Sequence, residues 1–170
     1  LCVASFGTTA LTARRKGPAQ VNIMTRRSQV AISCLPQTAA PQALAACEAL
    51  FGDGFNVEED PLVSSLANTS ALTHVPLALF NWTRIERAEN WPQYHYMTPR
   101  VSCAIEAIDA ERLAVAGAFG IEVRSVKQHF SQSFKTEGDC LEDIAAELRK
   151  KRGGPPGPTQ IDTRYLSEDV

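Results

Sequence analysis

The chain has 170 residues, of which 44% are apolar and 21% are charged, and its formal net charge is −2. These proportions are typical of a globular protein and exclude a wholly disordered chain or a fibrous repeat. The net charge gives no overall attraction to nucleic-acid phosphates. No apolar stretch reaches the roughly 18 residues that span a bilayer. We therefore expect a cytoplasmic protein without nucleic-acid or membrane partners.

The cysteines and the basic residues do not indicate a disulfide framework, a metal site or a nucleic-acid site. The five cysteines are odd in number and widely spaced, which favours reduced thiols over a disulfide framework, and no spacing indicates a metal site. Arg149, Lys150, Lys151 and Arg152 form the strongest basic run. We interpret this run as the cationic end of a helix, where positive charge favours the helix dipole.

The two ends of the sequence suggest an expectation about the chain's extent. It opens on the apolar segment LCVASF without a methionine and stops just after the polar cluster SED. An apolar, strand-like start is typical of a sheet whose earlier part lies elsewhere. We expect the chain to be a segment of a longer protein.

The first 60 residues alternate between patterns typical of strands and of helices. Residues 1–6, 20–25, 28–36 and 55–60 are short and rich in Val, Ile or Phe, which predicts strands. Residues 39–51 carry apolar side chains at helical spacing before Gly52 and Gly54, which predicts a helix with a glycine stop. This mixture predicts the tail of an α/β sheet domain.

Strand patterns nearly vanish after residue 60, and three helical stretches follow. Residues 61–90 form the first, residues 102–120 the second and residues 139–152 the third. Gly153 ends the third helix, for which Asp139 is a candidate N-cap. Residues 153–158 (GGPPGP) predict a loop, because proline lacks a backbone donor and glycine lacks a side chain to pack. The apolar positions on the three stretches give these core candidates: Leu62, Leu66, Leu72, Leu77, Phe80, Ile105, Ile108, Leu113, Val115, Leu141, Ile144, Ala145 and Leu148.

The segment NTSALTHVP, residues 68–76, is the most unusual local sequence. His74 stands two positions before Pro76, which should bend or interrupt the helix and so direct the imidazole toward a cleft. Ser70, Ala71 and Ala78 share its face and are small, which leaves room for a ligand. The alternative interpretation is a packed histidine hydrogen-bonded to a neighbour, with Asn68 as a helix cap.

The segment RYLSED, residues 164–169, is the second candidate. The guanidinium of Arg164 can bind a carboxylate through two parallel hydrogen bonds, and Asp169 can orient a histidine. The alternative is a surface ion pair, with residues 167–169 suited to the entrance of a further helix.

Together with NWTRIE, residues 81–86, these two segments resemble the octopine/nopaline (opine) dehydrogenase family in its α-helical catalytic domain. The resemblance implies an α+β fold: the C-terminal part of a Rossmann-type α/β domain followed by a mainly α-helical dehydrogenase domain. It implies a dinucleotide-binding remnant in residues 1–60 and a helical catalytic and substrate domain in residues 61–170.

The resemblance also implies a reaction and the residues that carry it out. Family members use NADH or NADPH to condense an amino acid reductively with a 2-oxo acid. By resemblance His74 is the general acid/base and Asp169 is the carboxylate paired with it. Arg164 grips a substrate carboxylate, and Asn68 lies in the substrate-facing stretch. A homodimer is the expected assembly.

The chain departs from the family pattern at one point, because it contains no Gly-x-Gly-x-x-Gly segment after a strand. We expect that this motif lies outside the chain and that the chain alone is inactive. Two alternatives stay open: a helical interaction module without catalysis, and a hydroxyacid or ketopantoate type of dehydrogenase. The latter should carry a catalytic lysine, but no lysine lies between Lys16 and Lys127. We interpret the aromatic segment of residues 90–99 as a loop over the core rather than the rim of a cleft.

Overall fold

A computed structural model of the chain describes residues 2–151 and 154–169. The chain divides into two compact units, Leu1–Asn68 and Thr69–Val170. Each unit is described by itself. The assignment of residues 1–60 and 61–170 to two functional domains stays a prediction.

The first unit is built around a small mixed sheet. Its strands, in chain order, are β1 (Val3–Phe6), β2 (Leu11–Gly17), β3 (Gln20–Arg26), β4 (Val30–Leu35) and β5 (Phe55–Val57). Strand β4 lies in the centre of a three-stranded sheet, antiparallel to β1 and parallel to β5. Helix α1 (Ala40–Phe51) connects the two parallel strands. This β-α-β connection is the α/β arrangement that the sequence predicts.

Strand β4 supplies the core of this sheet. Its inner residues Ile32, Ser33 and Cys34 are almost fully buried, and Cys34 packs against Ala40 and Ala43. A strand buried on both faces is an apolar run rather than an alternating one, which is why the sequence predicted it correctly. Helix α1 ends before Gly52, whose φ of 85° is a left-handed value that glycine adopts without strain.

Strand β2 was not predicted. It pairs with β3 in a separate two-stranded antiparallel sheet. Its sequence LTARRKG includes three consecutive basic residues, and its side chains are mostly exposed. Neither face is therefore marked by alternating apolar residues, and that alternation is the signal by which a strand is recognised in a sequence.

Helices make up nearly all the regular structure after residue 60. They are α2 (Pro61–Leu66), α3 (Ser70–Phe80), α4 (Trp82–Glu86), α5 (Pro99–Ala118), α6 (Val126–Phe134), α7 (Leu141–Lys150) and α8 (Arg164–Ser167). A 3₁₀ turn covers Tyr94–Tyr96. Residues 154–158 are irregular, as predicted for that part of the loop. No helix among the described residues is long and apolar enough to cross a bilayer.

Residues 61–90 are mostly helical, as predicted, but they do not form one continuous helix. The structure divides this stretch into α2, α3 and α4, with breaks at residues 67–69 and at Asn81. The predicted interruption at Pro76 does not occur, because α3 continues through that residue. Pro76 is buried, so packing offsets the hydrogen bond that proline cannot donate.

The second unit has one main hydrophobic cluster. It consists of Leu72, Leu77, Met97, Val101, Ile105, Val126, Phe130, Leu141, Ile144, Ala145 and Leu148. The predicted stripe of α7 is confirmed in full, since all four of its residues are buried. The core predictions for Leu62, Phe80, Ile108 and Val115 are wrong, because these side chains are between 38% and 59% exposed.

A polar residue on the buried face of α5 explains the errors on that helix. The buried positions include Val101, Ile105 and Asp109. The carboxylate of Asp109 accepts hydrogen bonds from the backbone N–H of Val126 and from Arg112. These partners stabilise a charge that would otherwise be costly to bury, so the buried stripe is not purely apolar.

The ends of α7 differ slightly from expectation. Cys140, rather than Asp139, is the N-cap residue, and Asp143 accepts hydrogen bonds from the backbone N–H groups of both. At the other end Arg149 and Lys150 are basic residues in the last turn, as predicted. Arg152 and Gly153 lie outside the described residues.

Gly157 provides a test of the packing in this unit. A Cβ atom at this position would lie 2.2 Å from Cε2 of the buried Trp91. The backbone N–H of Gly157 also donates to the carbonyl of Trp91, so the loop cannot easily move away. We expect Gly157→Ala to lower the free energy of unfolding by about 1–3 kcal/mol, the usual cost of overpacking.

Denaturant unfolding measures this effect, and Gly117→Ala is the matched control. Gly117 lies within α5, and a Cβ there would meet nothing within 4 Å. Since alanine is the better helix former, the control should be neutral or stabilising. Equal unfolding midpoints for Gly157→Ala and the unsubstituted protein would contradict the described packing.

Candidate active site

His74 and Asp169 are in direct contact although 95 positions separate them in the sequence. The Nδ1 atom of His74 lies 2.8 Å from Oδ2 of Asp169. His74 is 6% exposed on α3, and the side chain of Asp169 is 16% exposed. The predicted proximity of the two side chains is confirmed. Their catalytic roles stay predictions.

The turn of α8 positions Asp169. The backbone N–H of Asp169 donates to the carbonyl of Arg164 at 2.9 Å, which folds the segment back on itself. Helix α8 begins after Thr163, whose side chain makes no capping hydrogen bond, and ends at Ser167. Residues 167–169 close this turn, and their suitability for the entrance of a further helix stays a prediction.

Two tyrosines surround the imidazole. The ring of Tyr165 stacks on that of His74 with centroids 3.9 Å apart and an interplanar angle of 4°. The hydroxyl of Tyr94 lies 3.2 Å from Nε2 of His74. The imidazole is thus held by Asp169 at one nitrogen, by Tyr94 at the other and by Tyr165 on one face.

The small neighbours of His74 predict open space beside it, but on one face of the imidazole that space is filled by the ring of Tyr165. Ala78 is buried, and His74 itself is buried. The aromatic rings of Tyr94 and Tyr165 come from other parts of the chain, so the spacing of residues along α3 could not reveal them.

Burial and the contact with Asp169 shift the pKa of His74 in opposite directions. Burial lowers the pKa of His74, because it disfavours the charged imidazolium. The hydrogen bond to Asp169 and its negative charge both raise this pKa, and the positive charge of Arg164 lowers it. Burial is the largest of these effects, so the pKa of His74 lies below its ordinary value.

Tyr94 is the other strongly affected group. Burial raises the pKa of Tyr94 to about 12, so its hydroxyl stays protonated at neutral pH. Its ring packs edge-on against Phe130 and Phe134, with centroids 5.0 Å and 5.5 Å away. These contacts fix the ring in the core with its hydroxyl beside His74.

Arg164 lies beside the pair but is more exposed. Its Nε atom is 3.8 Å from Oδ2 of Asp169, which is a charge contact rather than a hydrogen bond. Its side chain is 58% exposed, so the guanidinium remains accessible from solvent. The structure brings Arg164, Asp169 and His74 together, while the role of Arg164 in binding substrate stays a prediction.

Asn68 is the fourth predicted site residue. It is exposed and lies in the loop after α2, at the end of the first compact unit. Its assignment to the substrate-facing stretch stays a prediction.

Sequence reasoning missed Gln93, Tyr94 and Tyr165. Tyr165 donates a short hydrogen bond to Oε1 of Gln93, which is 2% exposed. The clustering of aromatic residues around position 94 was the available signal. It was interpreted as a loop over the core, and the structure places a 3₁₀ turn there that contacts His74.

A separate surface cavity of about 500 Å³ lies elsewhere on this unit. Its lining includes His95, Glu142 and Arg149, and none of His74, Arg164 and Asp169. Residues 2–151 and 154–169 contain no group of three or more His, Cys, Asp or Glu side chains arranged to hold a metal ion.

The described residues do not fit the pyrophosphate of a dinucleotide. The connection from β4 to α1, residues 36–39, contains no glycine, and Pro41 stands in the first turn of α1. A dinucleotide site of this type needs glycines that let the backbone approach the phosphates. No step of a reaction can therefore be assigned to a dinucleotide held by these residues.

Residues 57–170 match the family described as NAD/NADP octopine/nopaline dehydrogenase, alpha-helical domain. The chain belongs to this family. An opine dehydrogenase from Arthrobacter sp. (strain 1C) is 31% identical over 160 residues, which cover 94% of this chain and 44% of that protein.

Solved structures of octopine dehydrogenase show the same fold. One, with NADH and L-arginine, gives a TM-score of 0.72 at 18% identity, covering 99% of this chain and 48% of the other. Another, with NADH and agmatine, gives 0.71 with the same identity and coverage. The predicted fold class is thus confirmed. The chain spans a little under half the length of these relatives.

Proposed function

We propose that this chain is the catalytic, substrate-binding portion of an opine dehydrogenase that uses NADH or NADPH. The reaction is the reductive condensation of an amino acid with a 2-oxo acid. Membership of the opine dehydrogenase family supports the reaction class. The observation that carries the proposal is the contact between His74 Nδ1 and Asp169 Oδ2 in the matched region.

In this proposal His74 transfers protons at the reacting centre. Asp169 accepts a hydrogen bond from the Nδ1–H of the imidazole, which leaves Nε2, now 3.2 Å from the Tyr94 hydroxyl, as the nitrogen that gains and loses the transferred proton. His74 protonates the carbonyl oxygen that leaves as water when the imine forms. A nicotinamide held by the remaining part of such a protein would supply the hydride for the imine carbon.

We propose that residues 1–60 are the remnant of the dinucleotide-binding domain and that residues 61–170 are the catalytic domain. The chain lacks the glycine-rich motif, so we expect it to be inactive without the remaining part of such a protein. The cytoplasm is the proposed location, which agrees with five cysteines that are all free thiols.

A homodimer is the proposed assembly. Ile108 and Val115 of helix α5 are exposed, and so is Phe119, the residue directly after its last turn. Their spacing of seven and four residues places them on one face of the helix. An exposed apolar stripe of this kind is suited to pairing with a second copy.

A substrate screen tests the proposed reaction. The full-length protein is mixed with NADH or NADPH, one amino acid and one 2-oxo acid, and nicotinamide oxidation is followed by absorbance. The proposal requires oxidation that depends on both substrates together. Oxidation with a 2-oxo acid alone would instead indicate a hydroxyacid type of dehydrogenase.

The guanidinium of Arg164 is proposed to bind a substrate carboxylate. Lysine keeps the positive charge but loses the planar fork that makes two parallel hydrogen bonds. We expect Arg164→Lys to raise the KM for a carboxylate substrate about tenfold while changing kcat much less. Steady-state kinetics with each substrate varied in turn measures this effect.

Arg87→Lys is the matched control. Arg87 is also exposed and pairs with Glu89 rather than with any proposed site residue. The control should leave both kinetic constants unchanged. A loss of kcat in Arg164→Lys without a change in KM would exclude the binding role.

A further inference from the structure

The second nitrogen of His74 contacts Tyr94, a residue that the proposed reaction does not use. Asp169 occupies Nδ1, so Nε2 is the nitrogen left for proton transfer. In the structure this atom is not open, because the hydroxyl of Tyr94 lies 3.2 Å away. The direction of this hydrogen bond decides which protonation state of the imidazole it favours.

A chain of buried polar groups sets that direction. The hydroxyl of Tyr165 donates to Oε1 of Gln93, because an amide oxygen can only accept. A side-chain hydrogen bond from Gln93 lowers the pKa of Tyr94 against the larger raising effect of burial, and only the amide nitrogen of Gln93 can donate it. Because the carboxylate of Asp169 accepts from Nδ1, a neutral imidazole can only accept at Nε2, so the Tyr94 hydroxyl is the donor there.

We propose that Tyr94 is a positioning residue for His74. Its hydroxyl, oriented by Gln93, donates to Nε2 and holds the imidazole neutral with its proton on Nδ1. At the other nitrogen, Asp169 accepts a hydrogen bond from the Nδ1–H group. The two hydrogen bonds agree, since a neutral imidazole has one donor nitrogen and one acceptor nitrogen.

Among the described residues, the charged groups that act on the proton affinity of His74 are Asp169 and Arg164. The C-terminal segment contributes Asp169 and Arg164, and the turn before α5 contributes Tyr94. On α5, which packs against α3, Asp109 pairs with Arg112, and Glu106 accepts a hydrogen bond from the backbone N–H of Leu141. On α4, which also contacts α3, Arg84 pairs with Glu89. The hydrogen bond from Tyr94 thus acts beside one anion and one cation, whose effects on the proton affinity of His74 oppose each other.

The hydrogen bond from Tyr94 has a measurable effect on proton binding. A donor to Nε2 stabilises only the neutral imidazole, so its loss should strengthen proton binding. One neutral hydrogen bond corresponds to a change of about 2- to 10-fold in an equilibrium constant. We expect Tyr94→Phe and Gln93→Leu each to increase the proton-binding constant of His74 by about this factor.

Nitrogen-15 NMR of histidine-labelled protein tests the proposal first on the unsubstituted sequence. Above its titration midpoint, His74 should carry its proton on Nδ1, with Nε2 unprotonated and accepting a hydrogen bond. A neutral tautomer with the proton on Nε2 would overturn the proposal. This measurement needs no variant and therefore does not depend on whether the substitutions are tolerated.

Titration of the variants is the second arm, with Tyr96→Phe as the matched control. Tyr96 lies in the same 3₁₀ turn, but its ring packs edge-on against Trp91. The midpoint for His74 should move to higher pH in Tyr94→Phe and Gln93→Leu and stay unchanged in Tyr96→Phe. An unchanged or lower midpoint in Tyr94→Phe would overturn the proposal.

The proposal rests on the proposed function for its catalytic meaning, and the two can fail separately. The NMR arms report on His74 without any turnover. In the active protein, the histidine limb of the kcat/KM profile should move to higher pH with Tyr94→Phe, by the same factor as the NMR midpoint. If opine synthesis is absent but the NMR midpoint moves, the proposed function fails and the positioning role of Tyr94 stands. If synthesis occurs and neither the midpoint nor the limb moves, the positioning role fails.

Discussion

Replacing His74 with asparagine is expected to lower kcat for reductive condensation by about a hundredfold or more, the usual contribution of a general acid or base. Asparagine preserves hydrogen bonding to Asp169 but cannot exchange a proton near neutral pH. Nicotinamide binding should change little, because none of the described contacts of His74 involves the first compact unit. Steady-state kinetics and a cofactor titration of the full-length protein measure the two quantities.

His129→Asn is the matched control for this substitution. His129 is half-buried on α6, where its ring lies 6.1 Å from that of Phe130. The control should keep the kcat of the unsubstituted protein, and circular dichroism should show that both variants are folded. Near-normal turnover by a folded His74→Asn variant would make the imidazole structural, and the proposed site would then be wrong.

Asp169→Asn should also lower kcat by about a hundredfold, because the carboxylate both orients the imidazole and stabilises its protonated form. The effect on pH dependence has a definite sign. Asp169 raises the pKa of His74 against the lowering effect of burial. Its removal should lower that pKa further, so the limb of the reductive profile that needs protonated His74 should move to lower pH.

Glu168→Gln separates this effect from a general loss of negative charge. Glu168 is the adjacent carboxylate and is exposed. The Glu168→Gln substitution should leave kcat and the pH profile unchanged. If Asp169→Asn lowers kcat with no movement of the limb, Asp169 does not act on the protonation of His74, and the pairing has another role.

The elements that the sequence predicted well are those whose burial follows one simple pattern. Strand β4 is an apolar run bounded by polar residues, and α7 carries four apolar residues at helical spacing. In both elements the local pattern and the tertiary contacts agree. Such agreement is what makes an element recognisable without a structure.

Other elements depend on contacts that the local pattern does not contain. Strand β2 is exposed and basic, so only its pairing with β3 identifies it. Helix α5 buries Asp109, which is compensated by Arg112 and by a backbone donor near α6. Pro76 stays within α3 because the residue is buried. Each of these features comes from a partner distant in sequence.

Some residues of the site could likewise be predicted from the sequence, and others could not. Resemblance to family segments identified His74, Arg164 and Asp169 as candidates, and the structure brings these three side chains together. Tyr94 and Tyr165 flank the imidazole from segments 20 and 91 positions away, and no residue spacing connects them to His74. Their contribution therefore emerges only from the folded geometry.

Identification of the reaction product tests the central claim most directly. The full-length protein is incubated with NADH or NADPH, an amino acid and a 2-oxo acid that together support nicotinamide oxidation, and the mixture is analysed by mass spectrometry. The account predicts a secondary amine that joins the two carbon skeletons and keeps both carboxylates. It also predicts that His74→Asn forms this product at about one hundredth of the rate or less. A 2-hydroxy acid as the reduced product, with the amino acid recovered unchanged, would contradict the account.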